Sequence, residues 1–306
     1  MKIVVAEGLG VKKEHIEEVA KQYVKSDVEL VVYEDRALKR EELLSRVADA
    51  DIIIEVNQPL DRELLARCEN LKLIAVAFAG IDHIDTAACE ELGIKIANCP
   101  GYSASAVAEL VFGLLTAVKR RLVAFDAETR KGGARGSFVG TEIGGKKFGI
   151  VGFGHVGKLV AKIANAYGCE VFACTRTPQE YDGVTFLPLE ELLKTCDIVS
   201  LNLPLTAESK GMIGKERIAM MKDGAILINT ARGPVVDSVA LAKAVESGKL
   251  AGAGIDVFET EPPIDEGHVL FGCDRIVVAP HIGFATEEAF ENRLGMTFRN
   301  IAAFLA

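Results

Sequence analysis

Three residues in the second half of the chain could work together as an acid–base centre. They are Arg232 in Thr230-Ala231-Arg232-Gly233, Glu261 in Glu259-Thr260-Glu261-Pro262, and His281 in Pro280-His281-Ile282-Gly283. Each directly follows a short apolar run of the kind that forms a buried strand: Ala225–Asn229, Gly254–Phe258 and Ile276–Ala279. Arginine offers a planar donor fork that pairs with a carboxylate. Histidine titrates near neutrality and suits proton transfer. A carboxylate beside a histidine favours its protonated form. Alone, each has an ordinary structural reading. Placed on successive strand ends, they read as one site.

A second constellation lies upstream. Phe148-Gly149-Ile150-Val151 reads as a buried strand, Gly152-Phe153-Gly154-His155-Val156-Gly157 follows, and a helical run continues to Tyr167. A second apolar strand, Glu170–Cys174, closes the unit. Strand, glycine turn, helix and strand make a βαβ unit that binds a dinucleotide. In that unit Gly152 allows the tight turn, Gly154 lets a pyrophosphate approach the backbone, and Gly157 lets the helix pack on the sheet. The helix N-terminus supplies unpaired N–H groups and a positive dipole end to the phosphates.

At the end of the second strand, an acid would take the ribose hydroxyls of NAD. Thr175-Arg176-Thr177 stands there instead. A hydroxyl and an arginine fit a ribose 2′-phosphate, so NADP(H) is expected. The alternative is a solvated Arg176 in an enzyme that uses NAD. With a nicotinamide in place, Arg232, His281 and Glu261 fit hydride transfer to a 2-keto acid. Arg232 would hold the carboxylate and polarise the carbonyl, His281 would protonate the forming alkoxide, and Glu261 would keep His281 protonated.

The elements that position these groups alternate along the whole chain. Strand-like runs are Ile3–Ala6, Leu30–Tyr33, Ile52–Val56, Leu73–Phe78 and Lys95–Ala97; helix-like runs are Lys13–Lys25, Arg40–Ala48, Asp61–Cys68 and Asp85–Leu92. Such alternation predicts parallel sheets, and ligands then bind outside the carboxyl ends of strands. The fold expected is α/β, with two doubly wound parallel-sheet domains, the nucleotide-binding one Rossmann-type. Asn98-Cys99-Pro100-Gly101-Tyr102 breaks the pattern and marks a crossing between domains. The division expected is 1–98 plus 286–306 for substrate and 99–285 for the dinucleotide. Ser103 is placed to cap a long apolar helix reaching Lys119, expected between domains or at a subunit contact. Residues 130–145 read as a surface loop. The last run, Glu287–Phe304, reads as an amphipathic helix returning to the first domain.

Composition limits the function classes. A chain of 306 residues that is 49% hydrophobic can bury two cores. A net charge of −9 argues against a general nucleic-acid or anionic-membrane binder. The longest apolar runs, such as Leu71–Ile81, are too short to span a bilayer, and Met1–Ala6 reads as a first strand, not a signal peptide. Seven cysteines without a C-x-x-C pair read as reduced core thiols in a cytoplasmic protein, with no metal site.

The motifs around Arg232, Glu261 and His281, together with Gly80-Ile81-Asp82-His83 and Pro100-Gly101-Tyr102-Ser103, resemble the signatures of the D-isomer-specific 2-hydroxyacid dehydrogenase family. The resemblance covers essentially the whole chain and is nearest to the glycerate dehydrogenase and hydroxypyruvate/glyoxylate reductase branch. It implies that Arg232 binds substrate, that His281 is the acid/base and that Glu261 orients it. It implies that backbone N–H groups around Ala79 and Gly80, beside Phe78, hold the substrate carboxylate. Cofactor contacts are expected from Gly152, Gly154, His155, Val156, Gly157, Thr175, Arg176, Thr177, Pro204, Thr230, Ala231, Asp256 and Gly283. The resemblance also implies a homodimer built on Pro100–Arg121 and a cleft that closes on cofactor. Phosphoglycerate dehydrogenases are similar too, but they usually carry a basic residue where this chain has Asn57-Gln58-Pro59. Further alternatives are a dinucleotide-sensing regulatory protein and an oxidoreductase of another small anion such as formate or phosphite.

Overall fold

The computed structural model describes residues 1–25 and 27–306. The chain divides into two compact units, Met1–Ser103 with Ala285–Ala306, and Ala104–Phe284. The sequence sets the first crossing at Asn98; the structure sets it after Ser103, immediately before a long helix, Ala104–Arg120.

The first unit holds five parallel strands: β1 (Lys2–Val5), β2 (Glu29–Val32), β3 (Ile52–Glu55), β4 (Leu73–Val76) and β5 (Lys95–Ala97), in the order β2-β1-β3-β4-β5. The apolar runs are continuous because helices cover both faces of such a sheet; every residue of β3 and β4 is buried. Polar caps start several of its helices. Asp61 accepts from the Leu64 N–H, Asp85 from the Ala88 N–H and Thr286 from the Ala289 N–H. The helix Glu287–Leu305 buries Leu294, Phe298 and Ile301 and packs on β4 and on the helix Lys13–Tyr23.

The second unit holds seven parallel strands: β6 (Lys147–Val151), β7 (Glu170–Cys174), β8 (Val184–Phe186), β9 (Ile198–Leu201), β10 (Ala225–Asn229), β11 (Leu250–Ile255) and β12 (Ile276–Val278). Their order is β12-β11-β10-β9-β6-β7-β8. The chain runs outward from β6 through β7 to β8, then restarts on the other side of β6 at β9. The β6/β9 boundary is therefore the topological switch point, where a ligand crevice is expected outside the strand ends.

The helix Ala104–Arg120 was expected between domains or at a subunit contact. Its buried residues belong to the core of its own unit: Val111, Phe112, Leu115 and Val118 pack with Phe148, Ile150, Ile226 and Ile228. Two elements are not predicted from the sequence. One is the edge strand β8; the other is the helix Leu122–Thr129, which has no buried residue.

Candidate active site

The glycine turn sits at the switch point, and each glycine meets a different constraint. Gly152 has φ 94°, and a Cβ there would lie 2.3 Å from the Asn202 carbonyl oxygen. A Cβ on Gly157 would lie 2.2 Å from the Gly152 oxygen. A Cβ on Gly154 would meet nothing within 4 Å. Two of the glycines are thus needed by the fold, whereas Gly154 leaves an open approach to the backbone. Gly154 is also the N-cap of the helix His155–Ala166, whose first N–H groups, those of His155, Val156 and Gly157, have no carbonyl a turn earlier in the helix to bind.

Two buried polar atoms border this crevice. Asn202 Oδ1, after β9, and Thr230 Oγ1, after β10, have no hydrogen-bond partner among the described residues. Buried polar atoms normally find partners, so the strand ends beside the glycine turn fit a polar ligand. A nicotinamide dinucleotide, with ribose hydroxyls and an amide, matches that need. Pro204 shapes the next loop, its carbonyl accepting from Ser209 Oγ at 2.8 Å.

At the end of β7, Thr175 is half-buried while Arg176 and Thr177 are exposed. In the loop after β9, the Glu208 carboxyl is held below its ordinary range by the Thr206 hydroxyl, then by its own backbone N–H, and most weakly by the charge of Arg176. The sequence pattern missed Glu208, because the acid sought was one on β7 itself.

Arg232, Glu261 and His281 follow the three adjacent strands β10, β11 and β12. The structure brings Glu261 and His281 together, with Oε1 2.6 Å from Nδ1. The other Glu261 oxygen accepts the Phe258 N–H at 3.0 Å. His281 has φ 55°, a left-handed conformation that histidine adopts more readily than most residues. Asp256 holds that turn. Its backbone oxygen accepts the His281 N–H at 2.7 Å, and its carboxylate oxygens accept the Ile282 and Gly283 N–H groups, each at 2.8 Å. Burial pushes the Asp256 carboxyl up, against the pull of these two N–H groups. Asp256 and Gly283 were expected as cofactor contacts; here both Asp256 oxygens are engaged in aiming His281. Arg232 is set by Asn229, which donates from Nδ2 to the Arg232 oxygen at 3.0 Å and accepts the Ala231 N–H at 3.0 Å.

Within the first unit, the turn after β4 carries Phe78, Ala79 and Gly80. The Phe78 oxygen accepts the Cys99 N–H at 2.9 Å, and the Ala79 oxygen accepts from Asn98 Nδ2 at 2.7 Å. Among the described residues, the Ala79 and Gly80 N–H groups donate to no protein acceptor. At the end of β3, a cation does reach Asn57, but it comes from Arg36, outside the local motif. Arg36 donates to Asn57 Oδ1 and lies 3.7 Å from Glu7 Oε2. Its charge is therefore already opposed.

Among the described residues, no group of three or more His, Cys, Asp or Glu side chains could hold a metal ion, and no helix is long and apolar enough to cross a membrane. All seven cysteines are unpaired, and six are buried.

Comparison with known proteins agrees with this geometry. Residues 112–283 match the family described as D-isomer specific 2-hydroxyacid dehydrogenase, NAD binding domain. The glyoxylate reductase of Thermococcus litoralis is 42% identical over 290 residues, covering 90% of this chain and 87% of that one. The hydroxypyruvate reductase of Thermotoga maritima is 38% identical, covering 92% of each. Among solved structures, an acyclic imino acid reductase (Bsp5) in complex with NADPH and D-Arg superimposes with a TM-score of 0.91 at 29% identity, over 100% of this chain and 97% of that one. The D-lactate dehydrogenase of Aquifex aeolicus complexed with NAD and lactic acid gives 0.86 at 29% identity, over 100% and 95%. The chain belongs to the D-isomer-specific 2-hydroxyacid dehydrogenase family. It is an oxidoreductase that depends on a nicotinamide dinucleotide.

Proposed function

We propose that this enzyme reduces glyoxylate or hydroxypyruvate to the D-hydroxy acid, with NADPH as the preferred cofactor. The observation that carries the reading is the Glu261–His281 pair, whose strands lie next to that of Arg232 in the same sheet that carries the dinucleotide turn. Relatives of similar length that reduce these two acids support the choice of substrate.

When bound, the reduced nicotinamide supplies the hydride. The chain's own residues do the rest. The Ala79 and Gly80 N–H groups take the carboxylate of the keto acid, as the family resemblance implies. Arg232 polarises the carbonyl that is to be reduced. With Nδ1 held by Glu261, His281 gives its proton from Nε2 to the carbonyl oxygen as that oxygen becomes an alkoxide. Glu261 keeps the ring oriented and balances its charge. The product is a neutral hydroxyl beside a carboxylate, and His281 recovers a proton from solvent.

A phosphorylated substrate fits less well, because the Arg36 guanidinium at the end of β3 is tied to Asn57 and faces Glu7. The preference for NADPH rests on Thr175-Arg176-Thr177. A homodimer and a cytoplasmic setting complete the proposal. Leu122, Val123 and Val139 are exposed just beyond the helix Ala104–Arg120 and would suit cover by a second copy. Seven unpaired thiols suit a reducing compartment.

The test is initial rates with glyoxylate and hydroxypyruvate, NADPH against NADH, with Arg176→Ala beside the wild type. We expect a preference for NADPH of about tenfold or more, roughly 1.4 kcal/mol, that the variant loses. Equal or better use of NADH would move the cofactor assignment to NAD. Failure to reduce either acid, with cofactor binding intact, would overturn the substrate assignment.

A further inference from the structure

Among the hydrogen bonds that hold the turn after β4, four can be set side by side, and one of these is unlike the other three. Three are ordinary satisfactions of backbone carbonyls: Cys99 N–H to the Phe78 oxygen, Asn98 Nδ2 to the Ala79 oxygen, and Leu60 N–H to the His83 oxygen at 3.1 Å. The fourth joins two side chains. His83 Nε2 lies 2.8 Å from Oε1 of Glu55, the last residue of β3. Glu55 is 0% exposed.

Placing a carboxylate there is costly, since charged groups leave water only at a large desolvation penalty. Two details add to the cost. Glu55 Oε2 has no hydrogen-bond partner among the described residues. Burial pushes the Glu55 carboxyl up, and the charge of the nearby Glu7 adds to that push. Glu7 has its own duties. Its Oε1 accepts the N–H groups of Val56, Asn57 and Gln58, and its Oε2 faces Arg36. The Glu55 side chain, in contrast, has His83 as its hydrogen-bonded side-chain partner. A well-packed apolar pair could fill the same space at no greater cost in stability. What an apolar pair could not do is fix the direction and register of the turn that contains Ala79 and Gly80.

We propose that Glu55 and His83 are a positioning pair for the substrate carboxylate. They clamp the turn at His83 so that the Ala79 and Gly80 N–H groups are presented together, in one preformed arrangement. This rests on the reading that those two N–H groups take the carboxylate. Neither Glu55 nor His83 touches the reacting atoms. Their loss should therefore weaken keto-acid binding in the ground state and transition state alike, raising KM while leaving kcat near its wild-type value.

The experiment measures kcat and KM for glyoxylate, together with the Kd for NADPH, in His83→Ala, His83→Gln and Ala79→Pro. His83→Ala should raise KM by about tenfold or more, with kcat within about threefold and the NADPH Kd unchanged. His83→Gln retains an N–H donor toward Glu55 and should recover most of the lost KM; a purely structural role predicts no such recovery. A KM for His83→Ala within about twofold of wild type, or equal impairment of the alanine and glutamine variants, would overturn the positioning role. Ala79→Pro deletes one N–H and tests the underlying reading separately. If it alone raises KM, the pair does not position the turn. If it leaves KM unchanged, the carboxylate is not held at Ala79. Should His83→Ala fail to fold, Glu55→Gln decides, because it keeps the shape and removes the charge. A KM rise of about threefold would support the pair, and an unchanged KM would overturn it.

Discussion

One carboxylate oxygen of Glu261 lies 2.6 Å from Nδ1 of His281 while the other accepts the Phe258 N–H at 3.0 Å. The carboxylate is thus anchored to its own loop before it orients the ring. In the proposed reaction, His281→Ala should lose about 10²–10⁴-fold in kcat/KM, the usual contribution of a positioned proton donor. Glu261→Gln keeps the shape and some of the hydrogen bonding, so its loss should be smaller. Stopped-flow rates and NADPH titrations check both variants. Loss of cofactor affinity equal to the loss in rate would remove the acid/base assignment.

Glycines 152 and 154 should fail in different ways. A methyl group on Gly152 would strike the Asn202 carbonyl from a left-handed backbone, so Gly152→Ala should lower the melting temperature of the cofactor-free protein. A methyl group on Gly154 meets nothing within 4 Å. Gly154→Ala should leave that melting temperature unchanged and still weaken NADPH binding, because it occupies the side from which the pyrophosphate approaches. Unaltered cofactor affinity in Gly154→Ala would place the phosphates elsewhere.

Glu208 stands against Arg176 in the choice of cofactor. Its carboxyl feels the Arg176 charge, so it competes with a 2′-phosphate for the same cation. Glu208→Gln should increase the ratio of NADPH to NADH efficiency, opposite in sign to Arg176→Ala. A fall in that ratio would mean that Glu208 helps to hold the 2′-phosphate loop.

Glu55 makes stability depend on pH in a defined direction. Burial raises its carboxyl above the ordinary value of 4.5. The folded state therefore binds this proton more tightly than the unfolded chain does. The contribution is fully present below pH 4.5 and is lost as pH rises through the folded value. Glu55→Gln, which has no proton to release, should show a flatter urea-unfolding free energy against pH across that window. Identical slopes for variant and wild type would contradict the assignment.

The strands of both sheets were legible because parallel strands covered on both faces are written as unbroken apolar runs, as in Ile52-Ile53-Ile54. β8 escaped because it is a three-residue edge strand with no buried residue, and the helix Leu122–Thr129 escaped because no apolar stripe marks it. The reacting groups could be found because each occupies a short contiguous motif at a strand end. Their partnerships were less accessible. Glu55 meets His83 and Arg36 meets Asn57 only because the β–α loops emerge side by side. No spacing rule in one sequence encodes those encounters. The helix Ala104–Arg120 shows the opposite case, where strong apolarity was visible but its burial partner was not.

The first unit is assembled from two stretches of chain, with Ala285–Ala306 arriving only after the whole of Ala104–Phe284 has been made. This imposes an order on biosynthesis. The nucleotide unit is continuous and can close its contacts as it leaves the ribosome. The first unit, although translated earlier, keeps the face of β4 uncovered until Leu294, Phe298 and Ile301 emerge in the last helix. The half of the enzyme proposed to bind substrate is thus begun first and finished last, and its exposed apolar face during that interval is the natural target for a chaperone.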